Sequence, residues 1–196
     1  MRADFAVVLD ACVLAEAAVA DLFLRLSEEP RLLLPKWSIQ IWEETNRTCV
    51  EKLGWPPRLA EARMVAATTA FPEAMVSGFE HAIAACSIES NDGHVLAVAI
   101  HSRSDTIVTF NVRHFRAEAL EQWGVVACHP ADYLRVLFEH DPPSVTSAIH
   151  DMATAARRPM PEMLARLAWS VPRFVESVAA QLSLQVPTIQ PADWRR

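Results

Sequence analysis

Phe5-Ala6-Val7-Val8-Leu9-Asp10-Ala11-Cys12-Val13-Leu14 is the stretch that sets the fold class. Its first five residues are apolar, two of them β-branched, and they stop at an aspartate, which is the pattern of a short buried strand. From Cys12 to Leu26 the apolar residues Val13, Leu14, Ala17, Ala20, Leu22, Phe23 and Leu26 change to helical spacing, and Pro30 ends that segment. Leu32–Leu34 reads as a brief strand end. Ser38 is placed as the N-cap of a helix reaching about Leu53, where Gly54 and Trp55-Pro56-Pro57 stop it. A second helix follows to about Phe71, before Pro72, and Met75–Val76 is a short strand candidate. Asn91-Asp92 opens a helix so apolar, with Val95, Leu96, Val98, Ala99 and Ile100, that it should be buried on most sides. Thr106–Thr109 and Val125–Cys128 read as further strands. Strands alternating with helices in this way predict an α/β domain with a central parallel sheet.

The chain has 196 residues, of which 52% are apolar and 21% charged. This is globular composition, enough for one compact domain and a small appendage. Four glycines are too few for glycine-rich phosphate loops. Eighteen basic against 24 acidic residues give a net charge of −6, which excludes a basic nucleic-acid coat but not a nuclease whose acidic site is neutralised by metal. The balance is uneven, since residues 151–196 hold six basic and four acidic side chains. With Pro159, Pro161 and Pro172 at expected helix starts, this predicts a main domain over 1–140 and a helical annex of two or three short helices over 141–196. Leu164, Leu167, Trp169, Phe174, Val175 and Val178 in the annex need something to pack on, most simply the main domain, and Trp194 reads as a terminal tether. Cys12, Cys49, Cys86 and Cys128 form no C-x-x-C and no disulfide framework, which fits reduced thiols and a cytoplasmic location. No run is long enough to span a bilayer. The apolar N-terminal stretch is interrupted by Asp4, Asp10, Glu16, Asp21 and Arg25, unlike a signal peptide.

Several polar residues fall where this fold exposes chemistry. In an open parallel sheet, ligands bind beyond the carboxyl ends of the strands, at the point where strand order reverses. Asp10 directly follows the first strand, although an aspartate there is also an ordinary helix N-cap. Glu44 lies beside the buried stripe of its helix, while Glu43 is rotated roughly 100° away and should be more exposed. Arg47 can pair with either acid, as surface ion pairs commonly do. Asp92 begins the apolar helix and would serve equally as its N-cap. Asn111 and His114 lie just past the strand Thr106–Thr109, where Asn111 could also close an Asx turn. His94 and His101, two helical turns apart, should flank the buried helix. Taken together, Asp10, Glu44, Asp92 and Asn111 come from four separate elements. Hard cations such as Mg2+ take one or two carboxylates plus waters and phosphate oxygens, and acids holding two metals activate water for phosphodiester cleavage.

On these residues the chain resembles the PIN domain family, specifically the VapC-like toxin ribonucleases of type II toxin–antitoxin systems. The matching pieces are Val7-Val8-Leu9-Asp10-Ala11-Cys12-Val13-Leu14, Trp37-Ser38 with Glu44 and Arg47, Asn91-Asp92-Gly93-His94-Val95-Leu96-Ala97, and Thr109-Phe110-Asn111-Val112-Arg113-His114-Phe115. Their order and spacing fit the family from residue 5 to about residue 138, and the later part resembles the C-terminal helical extension of one branch. The resemblance implies a Rossmann-like three-layer α/β/α sandwich around a parallel sheet. It implies an endoribonuclease dependent on Mg2+ or Mn2+, acting on RNA (tRNA for many members), with a cognate antitoxin protein and frequent homodimerisation. Carried over by position, Asp10, Glu44 and Asp92 are the metal-binding acids. Asn111 stands where many members have a fourth Asp or Asn, removing one negative charge and weakening any second metal site. Arg47 and His114 are candidate substrate contacts. The implied division of labour is that Asp10 and Asp92 hold the ion, Glu44 orients water and Asn111 positions water or the scissile phosphate.

Two other readings compete. A phosphatase of the haloacid dehalogenase type also begins with an apolar strand ending in Asp, but it needs a second Asp two residues on, where this chain has Cys12. A PIN-fold scaffold that binds RNA or protein without cutting gains some support from Asn111 and loses it to the intact set Asp10, Glu44 and Asp92. No G-x-G-x-x-G, G-x-x-x-x-G-K or G-x-S-x-G motif is present.

Overall fold

Val7, Val8 and Leu9 are completely buried, as a strand covered on both faces must be. In a computed structural model, which describes residues 5–29, 31–84, 86 and 92–190, they belong to β1 (Ala6–Leu9). β2 (Leu34–Lys36), β3 (Thr106–Val108) and β4 (Val126–Cys128) complete a four-stranded sheet of order β2-β1-β3-β4. All three pairings are parallel, with Val7 opposite Pro35, Val8 opposite Ile107 and Ile107 opposite Ala127. The fold class is therefore α/β, with a parallel central sheet flanked by helices, in agreement with a three-layer sandwich of the PIN type. Asn91 and Trp194 lie outside the described residues.

The chain divides into two compact units, one of Met1–Ala15 with Arg31–His129, the other of Glu16–Pro30 with Pro130–Arg196. The first holds the sheet, α1 (Ala11–Ala15), α3 (Ile39–Arg47), α4 (Pro57–Ala70), α5 (Glu80–Ile83), α6 (Gly93–Ser102) and α7 (Ala117–Glu121). The second holds α2 (Ala17–Ser27), α8 (Pro130–His140), α9 (Pro142–Ala155), α10 (Met160–Ala168) and α11 (Pro172–Leu182). Packing thus groups α2 and α8, which precede residue 141, with the three helices of the annex.

Several local readings are refined. The helix expected over Cys12–Leu26 breaks at Glu16, whose extended backbone (φ −80°, ψ 96°) separates α1 from α2. The helix from Ser38 runs as α-helix to Arg47 and continues as a π-turn over Thr48–Lys52. The strand near Leu32 lies two residues later, over Leu34–Lys36. Pro35 is admitted because β2 is an edge strand, where a missing N–H costs least. Met75 makes only an isolated parallel bridge to Trp37, held by Val76 N donating to the Trp37 carbonyl at 2.8 Å.

In the first unit, α6 packs on β1, β2 and β3, with Gly93 to Ala99 all buried. Burying each aliphatic side chain of this kind contributes roughly 1.5–3 kcal/mol. α3 is amphipathic, with Ile41, Trp42 and Thr45 inward and Glu43 and Arg47 exposed. Trp37 packs edge-on against Trp42 and Phe71 at ring distances of 5.6 and 6.2 Å, which fixes the start of α3. In the second unit, Leu164, Leu167, Phe174, Val175 and Val178 are buried among its own helices, with Phe174 edge-on to Phe138. Trp169 instead stays 40% exposed, with the Arg166 guanidinium 4.7 Å above its ring.

Ser38 caps α3 by accepting from Ile41 N at 3.2 Å, while being fully buried. S38A should lower unfolding stability by about 1 kcal/mol, read as a shift of the urea midpoint at constant slope.

Candidate active site

β1 sits between β2 and β3, so its connection to β2 and the later chain from β3 to β4 spread in opposite directions across the sheet. That makes the carboxyl ends of β1 and β3 the switch point where such sheets bind ligands. Asp10 and Thr109 are the residues immediately beyond those two ends.

Asp10 is 6% exposed, and its carboxylate meets both the start of α1 and the end of β3. Oδ1 accepts from the adjacent Ala11 N at 2.6 Å. Oδ2 accepts from the Thr109 hydroxyl at 2.6 Å and from the Cys12 thiol at 3.2 Å. The main chain adds Asp10 N donating to the Val108 carbonyl at 3.1 Å. Burial first, and then the charge of Asp10, push the Cys12 thiol up to about 12, so it is a neutral S–H donor at ordinary pH.

Glu44 is carried to this edge by α3. Thr45, its buried neighbour, donates to the Ile41 carbonyl at 2.8 Å and lies 3.5 Å from the Ala11 carbonyl, which ties α3 to α1. The Glu44 side chain keeps 26% exposure, and Oε1 lies 3.6 Å from Nε2 of His94, which is 2% exposed. Its pKa is raised, chiefly by burial. The negative charges of Asp10 and Asp92 raise it further, while His94 and Arg47 pull the other way. Arg47 is exposed and acts on Glu44 through its field, without a direct ion pair among the described residues.

Asp92 occupies the N-cap position of α6, but its carboxylate makes no capping hydrogen bond. Oδ2 instead lies 2.9 Å from Nδ1 of His114. His114 is placed there by the 3-10 turn Val112–His114, closed by His114 N donating to the Asn111 carbonyl at 2.9 Å. The Asn111 side chain likewise makes no capping bond; it is the Asn111 backbone N–H that is engaged, donating to the Thr109 hydroxyl at 3.0 Å.

Glu44 therefore lies in the fields of both Asp10 and Asp92, with His114 on Asp92 and Asn111 two residues beyond Thr109. Among the described residues no group of three His, Cys, Asp or Glu side chains closes into a ready-made cage for an ion. The donor chemistry nevertheless fits a hard divalent cation, which takes one or two carboxylates and fills its shell with waters and phosphate oxygens. Three residues of this cluster escape a reading by motif. Thr109 and Cys12 look like strand and helix residues in sequence. His94, expected only to flank the helix, is buried against Glu44, while His101 is exposed. For Thr109 the sequence signals only that a polar residue follows the strand, not that it meets Asp10.

A carboxyl whose folded pKa lies above its unfolded value is ionised at a cost in the folded state. That cost is absent below the ordinary glutamate value of 4.5 and grows as pH rises through the raised one. Metal-free E44Q should therefore melt a few degrees above wild type near neutral pH, with the gap closing toward about pH 4. Melting curves followed by circular dichroism across that range check both sign and window.

The chain is 38% identical over 89 residues to a protein of Mycobacterium tuberculosis named "Putative ribonuclease VapC50". The match covers 44% of this chain and 52% of that relative, so the chain spans about half the length of the curated relative it matches. No protein-family model matches the chain, and no solved structure matches it. No helix among the described residues is long and apolar enough to cross a membrane. What stands is an α/β chain similar over nearly half its length to a VapC-type ribonuclease, with acidic side chains gathered at its sheet switch point.

Proposed function

We propose that this chain is the toxin of a VapC-type toxin–antitoxin pair, an endoribonuclease that depends on Mg2+ or Mn2+ and hydrolyses RNA phosphodiester bonds. The observation that carries the reading is the convergence of Asp10, Glu44 and Asp92 at the β1–β3 switch, where Glu44 feels both other charges. The similarity to VapC50 supports the same reading.

Asp10, Glu44 and Asp92 would hold the ion. When bound, it supplies Lewis-acid polarisation and neutralises charge at the scissile phosphate. Glu44 comes from α3 rather than from the switch point of the sheet, and its side chain is partly exposed. It orients the attacking water and takes its proton at a carboxylate oxygen. Asn111, whose amide is not spent on capping, donates to the water or to a phosphate oxygen. His114 holds Asp92 through Nδ1 and contacts substrate from the half-exposed remainder of its ring. Arg47, exposed beside Glu44, meets a neighbouring phosphate. The substrate class is RNA, with tRNA the leading target. The partners are a cognate antitoxin that covers this edge and a second copy of the chain, and the setting is the cytoplasm. The helices from residue 141 onward correspond to the C-terminal extension of one branch of these toxins.

The test is cleavage of total bacterial RNA by wild type and D92N, in Mn2+ and in EDTA, with new 5′ ends mapped by sequencing. Discrete ends should appear with wild type in Mn2+ and be lost in D92N and in EDTA, with D92N folded by circular dichroism. Cleavage that survives D92N or EDTA overturns the assignment. If folded, antitoxin-free wild type leaves RNA uncut and gains no thermal stability from Mn2+, the binding-scaffold reading replaces it.

A further inference from the structure

The contacts around Asp10 form a pattern that the proposed reaction does not by itself require. An ionised carboxylate offers about four acceptor sites, two on each oxygen. On Oδ2 both are taken, one by the Thr109 hydroxyl at 2.6 Å and the other by the Cys12 thiol at 3.2 Å. Each donor is itself fed by a backbone amide. Asn111 N donates to the Thr109 hydroxyl at 3.0 Å, and Phe110 N donates to the Cys12 sulfur at 3.3 Å. The 3.3 Å approach of Cys12 Sγ to Thr109 Oγ1 follows from their sharing one acceptor. On Oδ1 one site is taken, by Ala11 N at 2.6 Å.

We infer that Thr109 and Cys12 are positioning residues for Asp10: they relay the N–H dipoles of Asn111 and Phe110 onto Oδ2 and leave Oδ1 as the oxygen with room for a metal ion. The inference rests on the metal-nuclease reading and deepens it. A side chain with both lone pairs of one oxygen occupied cannot chelate with two oxygens, so Asp10 is a one-oxygen ligand whose rotamer is fixed before the ion arrives. Preorganisation of this kind acts on metal affinity, because the binding step no longer has to order the ligand. Thr109 is fully buried and its hydrogen bond spans the two strand ends, so it carries the larger share.

The experiment measures Mn2+ binding to RNA-free protein by titration calorimetry for wild type, T109V, T109S, C12A and C12S, beside metal-free melting temperature and RNA cleavage. T109V should weaken Mn2+ binding about tenfold or more and C12A several-fold, with T109S and C12S recovering most of the affinity. In metal-free protein, exchange of the Ala11 amide should speed up in T109V and C12A, since that amide is held by Asp10 itself. Mn2+ affinities of T109V and C12A within twofold of wild type, with only the melting temperature lowered, would reduce both residues to a structural tie and overturn the inference. That outcome leaves wild-type cleavage in Mn2+ intact, whereas failure of wild type to bind Mn2+ or to cut RNA overturns the nuclease reading and the inference with it.

Discussion

Two parallel strands end side by side, β1 at Leu9 and β3 at Val108, and the hydrogen bond from Thr109 to Asp10 closes the gap between them. The site depends on that juncture. A parallel sheet aligns all its carboxyl ends on one edge, and the reversal of order between β1 and β3 opens a crevice there rather than filling it with a crossover. Asp10 ends the strand that lies between β2 and β3, and Asp92 precedes α6, which packs on β1, β2 and β3. Glu44 arrives because Ser38 starts α3 and Thr45 ties it to α1. Each acid is thus delivered by an element with its own packing reason.

The charges of Asp10 and Asp92 both bear on Glu44, and the chain as a whole is already acidic. The structure distributes the cost unequally. Asp10 is surrounded by N–H, O–H and S–H donors. Asp92 has the imidazole of His114 against it. Glu44 has His94 and Arg47 in its field, yet burial and the other two acids outweigh them and leave its proton affinity raised. The three acids are therefore not equivalent. Asp10 and Asp92 are held by close hydrogen-bond partners, whereas Glu44 has His94 at 3.6 Å. A similar sorting of carboxylates by environment underlies acid–base pairs in many hydrolytic sites.

Much of this was legible in the sequence, because strong periodicity and sharp boundaries coincide. β1, β3 and β4 were readable from short apolar runs bounded by polar residues, and α6 from its near-continuous apolar composition. Ser38 was readable as a cap. Glu16 gave no warning that it breaks a helix, since glutamate is a good helix former and only tertiary packing moves it to an extended conformation. β2 was displaced by two residues because Pro35 argues against a strand unless the strand is known to lie at an edge. At the site, the acids were visible as punctuation after strands and at helix starts. The partners Thr109, Cys12 and His94 were not, because their role is defined by residues up to 99 positions away. Local sequence shows where a side chain leaves an element, but not what it meets.

The break at Glu16 also bears on how the chain assembles. α2 lies near the beginning of the chain but packs with α9 and α10, whose residues come more than a hundred positions later. Its inward residues Val19, Ala20, Leu22, Phe23 and Leu26 are therefore buried in a unit whose other helices come far later in the chain. Closing so long a loop is entropically expensive and slow relative to local helix formation. During synthesis, the strand that carries Asp10 is followed at once by an apolar helix waiting for its unit.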